Sequence, residues 1–140
     1  MSSLRASTRL GLFLAFTLAL IPVQWLGLKA GFAYARPLPS FYHRTLCRLF
    51  GLQVVHRGPP PAEGAALLVA NHASWLDILV LSSLGPLSFI SRHDVADWPF
   101  FGTLARLQRT VFVERRRSRT AQHRDEIVER LTSGDRKSVV

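Results

Sequence analysis

Apolar positions are distributed unevenly along the chain. Leu10 to Leu28 is a run of 19 residues without a charge. As a helix it would extend about 28 Å, close to the ~30 Å hydrocarbon core of a bilayer. Arg5 and Arg9 precede the run and Lys29 and Arg36 follow it, so flanking charge leaves its orientation open. Pro22 and Gln24 interrupt it, which allows a kinked or shallowly inserted helix. A cleaved signal peptide is the rival reading: Arg5 and Arg9 as basic end, Leu10 to Val23 as apolar stretch, Ala33-Tyr34-Ala35 as cleavage site. The run continues through Trp25, Leu26 and Leu28, and Lys29 lies before that site, which favours a retained anchor.

Beyond the break at Arg36-Pro37-Leu38-Pro39 the pattern changes. From Ser40 to Leu49, Phe41, Leu46, Leu49 and the following Phe50 alternate with His43, Arg44 and Arg48. This predicts a basic amphipathic helix, lying on a membrane surface or against a core. Gly58 to Pro61 and Gly64 form a turn-rich linker. Ala65 to Ala70 predicts a buried strand, Ser74 to Leu84 a helix ended by Gly85-Pro86, and Leu87 to Ile90 a second strand. Pro99 to Leu107 suits a helix and Val111 to Val113 a third strand. Arg119 to Leu131 suits a polar helix with Ile127, Val128 and Leu131 on one side and Gly134 as its cap. Alternating strands and helices predict an α/β domain.

Composition narrows the functional classes. The 140 residues suffice for one small domain. A hydrophobic fraction of 48% and a mean hydropathy of +0.15 point to a membrane segment or a strongly apolar core. The net charge of +9 favours polyanionic partners, and 16 of the 18 cations are arginine, which forks onto phosphate. The single cysteine, Cys47, excludes an internal disulfide. No Cys/His cluster suggests zinc, and no glycine-rich phosphate loop is present.

Two segments carry candidate chemistry. In Asn71-His72-Ala73-Ser74-Trp75-Leu76-Asp77, a His and an Asp five positions apart lie where a predicted strand gives way to a helix. Such junctions lie at the rim of an α/β sheet, where sites form. A histidine there can serve as a general base, and a nearby carboxylate would fix its tautomer and stabilise the imidazolium. The structural alternative is a helix start, with Ser74 and Asp77 as a capping box, and the two roles are compatible. Ser74 as a nucleophile is disfavoured by the bulky Trp75 after it. The second segment, Arg109 to Arg117, runs from the Val111–Val113 strand into three arginines. It could clamp a phosphate, face anionic lipid or be a solvated basic stretch. Nucleic-acid binding is disfavoured, since Phe112 is the only aromatic residue in it.

Taken together these segments resemble the lysophospholipid acyltransferases of the 1-acylglycerol-3-phosphate acyltransferase type. Asn71 to Asp77 looks like the family's N-H-x-S-x-x-D block. Ile90-Ser91-Arg92 with Trp98-Pro99-Phe100-Phe101-Gly102 is similar to its next stretch, and Val111-Phe112-Val113-Glu114-Arg115 to its second block. Order and spacing agree over about Pro37 to Gly134. The resemblance implies an α/β fold, part of a glycerolphosphate-acyltransferase-like mixed sheet flanked by helices, with a membrane anchor at 1–36 and the N-terminal part of an acyltransferase domain at 37–140, its C-terminal blocks missing. It implies acyl transfer from acyl-CoA or acyl-carrier protein to the hydroxyl of a lysophospholipid, without metal or resident cofactor. His72 would be the base, Asp77 its orienting partner and Arg115 the residue that binds the acceptor phosphate. The enzyme would work on membrane lipid at the cytoplasmic face of the inner membrane and bind no nucleic acid. Thr110 departs from the glycine frequent at that point in the family. The family also continues beyond Gly134-Asp135 into an apolar strand and a Phe-Pro-Glu-Gly-Thr block, and this sequence stops at Val140. A sheet short of strands is therefore expected, with an inactive, truncated membrane-surface protein as the alternative to an enzyme.

Overall fold

The long apolar run folds as a single helix, α1 (Ser3–Ala30), which takes in the flanking Arg5, Arg9 and Lys29 and carries Pro22 in its interior. Its most apolar 18 residues have a mean hydropathy of 1.8, enough by length and composition to cross a membrane. Here α1 and the other elements are those of a computed structural model, which describes residues 3–58 and 67–113, and the backbone of 137–139.

The fully buried positions of α1 are polar or small, while Phe13 and Phe16 pack part-buried against the core. Thr17, Gln24 and Gly27 are buried, whereas Leu10, Leu14, Leu18 and Leu26 are exposed. A helix on a soluble domain does the reverse. The Thr17 hydroxyl donates to the Phe13 carbonyl at 2.7 Å, which leaves its oxygen to accept from the Tyr42 hydroxyl, also at 2.7 Å. Gln24 Nε2 donates to the Ala35 carbonyl at 2.9 Å and the Leu107 carbonyl at 3.0 Å.

Helix α2 (Leu38–Phe50) starts on the prolines of the predicted break. It ends at Gly51, whose φ of 75° lets Leu52 N–H reach back to the Cys47 carbonyl at 2.8 Å. The core-facing alternative describes α2: Ser40, His43, Leu46 and Cys47 point inward, and Phe41, Arg44 and Arg48 outward. Two residues depart from the simple pattern. His43 is buried because Ser82 supplies a hydrogen-bond partner, at 2.9 Å from Nδ1. Phe41 is exposed because it falls outside the 40-43-46-47 stripe. Leu46, Cys47 and Leu79 form the centre of a core joined by Phe13 and Phe16 of α1 and by Phe50, Leu52 and Val54.

The remaining elements are β1 (Leu67–Val69), α3 (Leu76–Leu84), β2 (Ser88–Arg92), α4 (Phe101–Leu107), β3 (Val111–Val113) and β4 (Lys137–Val139). A short 3-10 helix at His93–Asp97 leads into α4. The strands lie in the order β1-β4-β2-β3, and every described pairing is parallel. This corrects the expected mixed sheet. The chain between β1 and β2 contains α3 and that between β2 and β3 contains α4, crossovers that bring each strand back in the same direction. Strand β4 is a second correction, because the chain was expected to stop short of its next strand. It fills the place between β1 and β2. The predicted helix at Arg119–Leu131 lies outside the described residues.

Candidate active site

A parallel sheet gathers the carboxyl ends of its strands at one edge, which is where α/β folds bind ligands. Chain leaving β1 at Val69 passes through Ala70 to Trp75 and enters α3 at Leu76. In that turn His72 Nδ1 lies 3.3 Å from Asp77 Oδ2. The same oxygen accepts the backbone N–H of Ala73 at 2.8 Å and of Ser74 at 2.9 Å. Those two amides are the main reason the Asp77 carboxyl sits below its ordinary range, with His72 adding to the effect. Asp77 is thus an anion at neutral pH, fixed by backbone before it meets the imidazole.

The helix-start role and the pairing with His72 coincide in one carboxylate. Ser74 N–H to Asp77 is the reach-back half of a capping box; the Ser74 hydroxyl accepts from Leu76 N–H at 3.3 Å instead of from Asp77. A carboxylate at Nδ1 favours the Nδ1–H tautomer and leaves Nε2 as the basic nitrogen. His72 is 44% exposed at its side chain, so a substrate can reach that nitrogen. Ser74, tied into the turn by both its amide and its hydroxyl, is poorly placed as a nucleophile.

Arg115 lies outside the described residues. The strand that leads to it, β3, ends at the same edge as β1, three places across the sheet. At the usual strand spacing this is about 14 Å. Thr110, the residue before β3, is buried and its N–H donates to the Ala105 carbonyl at 3.0 Å.

Behind the site runs a buried polar network that the sequence reading missed. His43 on α2 meets Ser82 on α3 at 2.9 Å, and Gln108 at the end of α4 donates to the same hydroxyl at 3.0 Å. Burial pushes the His43 pKa down to about 4, only partly offset by its contact with the Pro39 backbone. Its one sequence signal is position: His43 lies three residues from both Ser40 and Leu46, on the inward stripe. Among the described residues, no three His, Cys, Asp or Glu side chains come together as a metal site.

The profile of the acyltransferase family matches residues 51–140, which include this turn and all four strands. The chain belongs to the acyltransferase family. It is similar to a lyso-ornithine lipid O-acyltransferase of Brucella abortus (strain 2308), 50% identical over 127 residues, or 86% of this chain and 46% of that protein. A lyso-ornithine lipid O-acyltransferase of Rhizobium meliloti (strain 1021) is 46% identical over 129 residues, covering 89% of this chain and 43% of that protein. A 1-acyl-sn-glycerol-3-phosphate acyltransferase of Neisseria gonorrhoeae is 40% identical over 65 residues, 46% of this chain and 25% of that protein. The chain thus spans a little under half the length of the first two relatives. At the coverage of those two, the likeness extends upstream of the profile match into α2. No solved structure matches the chain.

Proposed function

We propose that this acyltransferase moves a fatty acyl group from acyl-CoA or acyl-carrier protein to the free hydroxyl of a lysolipid. The observation that carries the reading is the His72–Asp77 pair at 3.3 Å, its carboxylate held by the Ala73 and Ser74 amides. His72 Nε2 takes the acceptor's hydroxyl proton as the oxygen attacks the thioester carbonyl. The carbon–sulfur bond then breaks, and the imidazolium returns the proton to the departing thiolate. Asp77 stabilises the charge that His72 carries between these events. Neither a covalent enzyme intermediate nor a resident cofactor or metal is needed.

Lyso-ornithine lipid is the preferred acceptor in this proposal, because the relatives at 50% and 46% identity bear that name. Lysophosphatidic acid is second. The choice changes the role of Arg115: an ornithine head group offers a carboxylate where the other acceptor offers a phosphate, and a guanidinium forks onto either.

The fold we assign is glycerolphosphate-acyltransferase-like, with residues 1–36 as membrane anchor and 37–140 as the N-terminal part of the acyltransferase domain. The outward leucines of α1 suit lipid, and its buried Thr17 and Gln24 suit protein. Phe13 and Phe16 pack on Phe50, Phe41 and Tyr42 of α2, which also carries the outward Arg48 and Arg44, the latter donating from Nε to the Ser83 carbonyl. An upright α1 would carry those arginines to hydrocarbon depth, at a cost of roughly 3 kcal/mol each. An α1 lying along the bilayer surface keeps its leucines in lipid and the arginines at the phosphates. In this proposal the chain works at the cytoplasmic face of the inner membrane.

Membranes expressing residues 1–140 are given labelled acyl-CoA or acyl-carrier protein with each lysolipid, beside His72→Ala. Transfer from the unaltered chain, reduced by about 10² to 10⁴ in the variant, is expected of a general base. A folded, membrane-bound chain that acylates neither lipid from either donor, or one indifferent to His72→Ala, overturns the proposal.

A further inference from the structure

We infer that Trp75 seats the acyl chain of the lysolipid acceptor and so holds the acceptor hydroxyl over His72. The inference rests on the acyl-transfer reading and adds a binding site to it. Trp75 lies three residues after His72, at the mouth of α3, and is 61% exposed. Exposure alone does not single it out, since Trp25 and Trp98 are each 55% exposed; its place in the His72 turn does. The helix start does not need it, since Trp75 occupies the capping position without a side-chain capping bond. Ser74 and Asp77 satisfy the first amides of the turn instead.

What Trp75 does have is a line of aromatic contacts leading toward lipid. Its ring stands edge-on to Phe50 at 6.4 Å and 89°, and Phe50 packs on Phe13 of α1 at 5.9 Å. Leu10 and Leu14, on either side of Phe13, are exposed on the same helix. An apolar path therefore runs from the helix that meets lipid to the turn that holds His72. An indole suits the end of such a path, with an apolar body and one N–H at the water boundary.

The occupant is the acceptor rather than the donor. A lysolipid resides in the bilayer, and its reacting hydroxyl lies close to the start of its acyl chain. The thioester donor arrives on a large polar carrier from the aqueous side. A chain lying on Trp75 would bring the acceptor oxygen to His72 while its tail remained over Phe50 and α1.

Two measurements test this. The first is acceptor kinetics of Trp75→Ala and Trp75→Phe with long-chain and short-chain lysolipids. Trp75→Ala is expected to raise KM for the long-chain acceptor about tenfold, with kcat little changed, and Trp75→Phe is expected to fall between. KM for a short-chain acceptor should stay near that of the unaltered chain. The second is fluorescence of the 1–140 chain carrying Trp25→Phe and Trp98→Phe, so that Trp75 is the sole indole. In vesicles, lysolipid with a brominated chain should quench it saturably and more strongly than brominated diacyl lipid at the same mole fraction. Equal quenching by the two lipids, no quenching, or an equal KM rise for short and long acceptors overturns the proposal. The fluorescence readout needs no turnover, so a chain without transferase activity that still shows selective quenching refutes the acyl-transfer reading and leaves Trp75 as a lysolipid site.

Discussion

One oxygen of Asp77 meets both the turn amides and His72, and the two contacts can be separated. Asp77→Asn keeps an acceptor for the Ala73 and Ser74 amides but removes the charge that faces His72. Asp77→Ala removes both. We expect both variants to lose acyl transfer by about 10² or more, and only Asp77→Ala to melt measurably earlier. Equal melting losses would mean that the charge, not the capping bond, stabilises the turn. His43 gives a second residue-level prediction. Burial lowers its pKa from 6.5 to about 4, so the unfolded chain binds a proton there at a pH where the folded chain does not. The contribution of neutral His43 is complete above about pH 6.5 and is lost as pH falls toward about 4. The full span is worth roughly 3 kcal/mol. His43→Gln keeps a polar partner for Ser82 and cannot titrate. Denaturant melts of the two proteins should therefore converge on acidification through that window, and parallel curves would refute the assignment.

At the scale of elements, what the sequence revealed depended on length and contrast. The helix α1 was legible because its run has no charge, and α3 because Gly85-Pro86 closes an apolar stretch. Val111–Val113 was placed without error because a β-branched, aromatic triplet follows a polar turn. His43 was hidden, since its burial depends on Ser82, 39 residues away. Pattern also could not tell how α4 docks. Its Gly102 lies so close to the Ala96 carbonyl that a Cβ would collide with that oxygen. Gly102→Ala should therefore push α4 away from the 3-10 helix and cost about 1–3 kcal/mol, read as a lowered denaturation midpoint. The same limit applies to Gln24, which reads as a flaw in an apolar run and proves to be its anchor to the carbonyls of Ala35 and Leu107. Gln24→Leu would make α1 more apolar and leave both carbonyls without that donor. A loss of about 1–3 kcal/mol is expected despite the added hydrophobicity. A variant at least as resistant to denaturant and protease as the unaltered chain would mean that lipid affinity outweighs the polar seam.

For the molecule as a whole, the sheet depends on a strand that the sequence barely announces. Lys137–Val139 is three residues long, too short for a period to register, yet it stands between β1 and β2. Among the described strands, β1 pairs with β4 alone. The turn that brings His72 to Asp77 hangs from the end of β1, so the geometry of the site is tied to pairing more than sixty residues further along the chain. Ser138→Pro tests that tie. Proline removes a backbone donor and is poorly tolerated inside a sheet, being confined to edge strands and bulges. Ser138 is opposite both Leu68 and Phe89, so the substitution acts on both neighbours of β4 at once. Hydrogen exchange should report about a hundredfold or greater loss of protection at Leu68 and Val69, with loss of acyl transfer alongside. The α1–α2 pair, joined through Phe13, Phe16 and Tyr42 and not through the sheet, should keep its protection. Unchanged exchange at Leu68 and Val69 would mean that β1 holds its place without β4, and that packing on α3 and α2 alone positions the His72 turn.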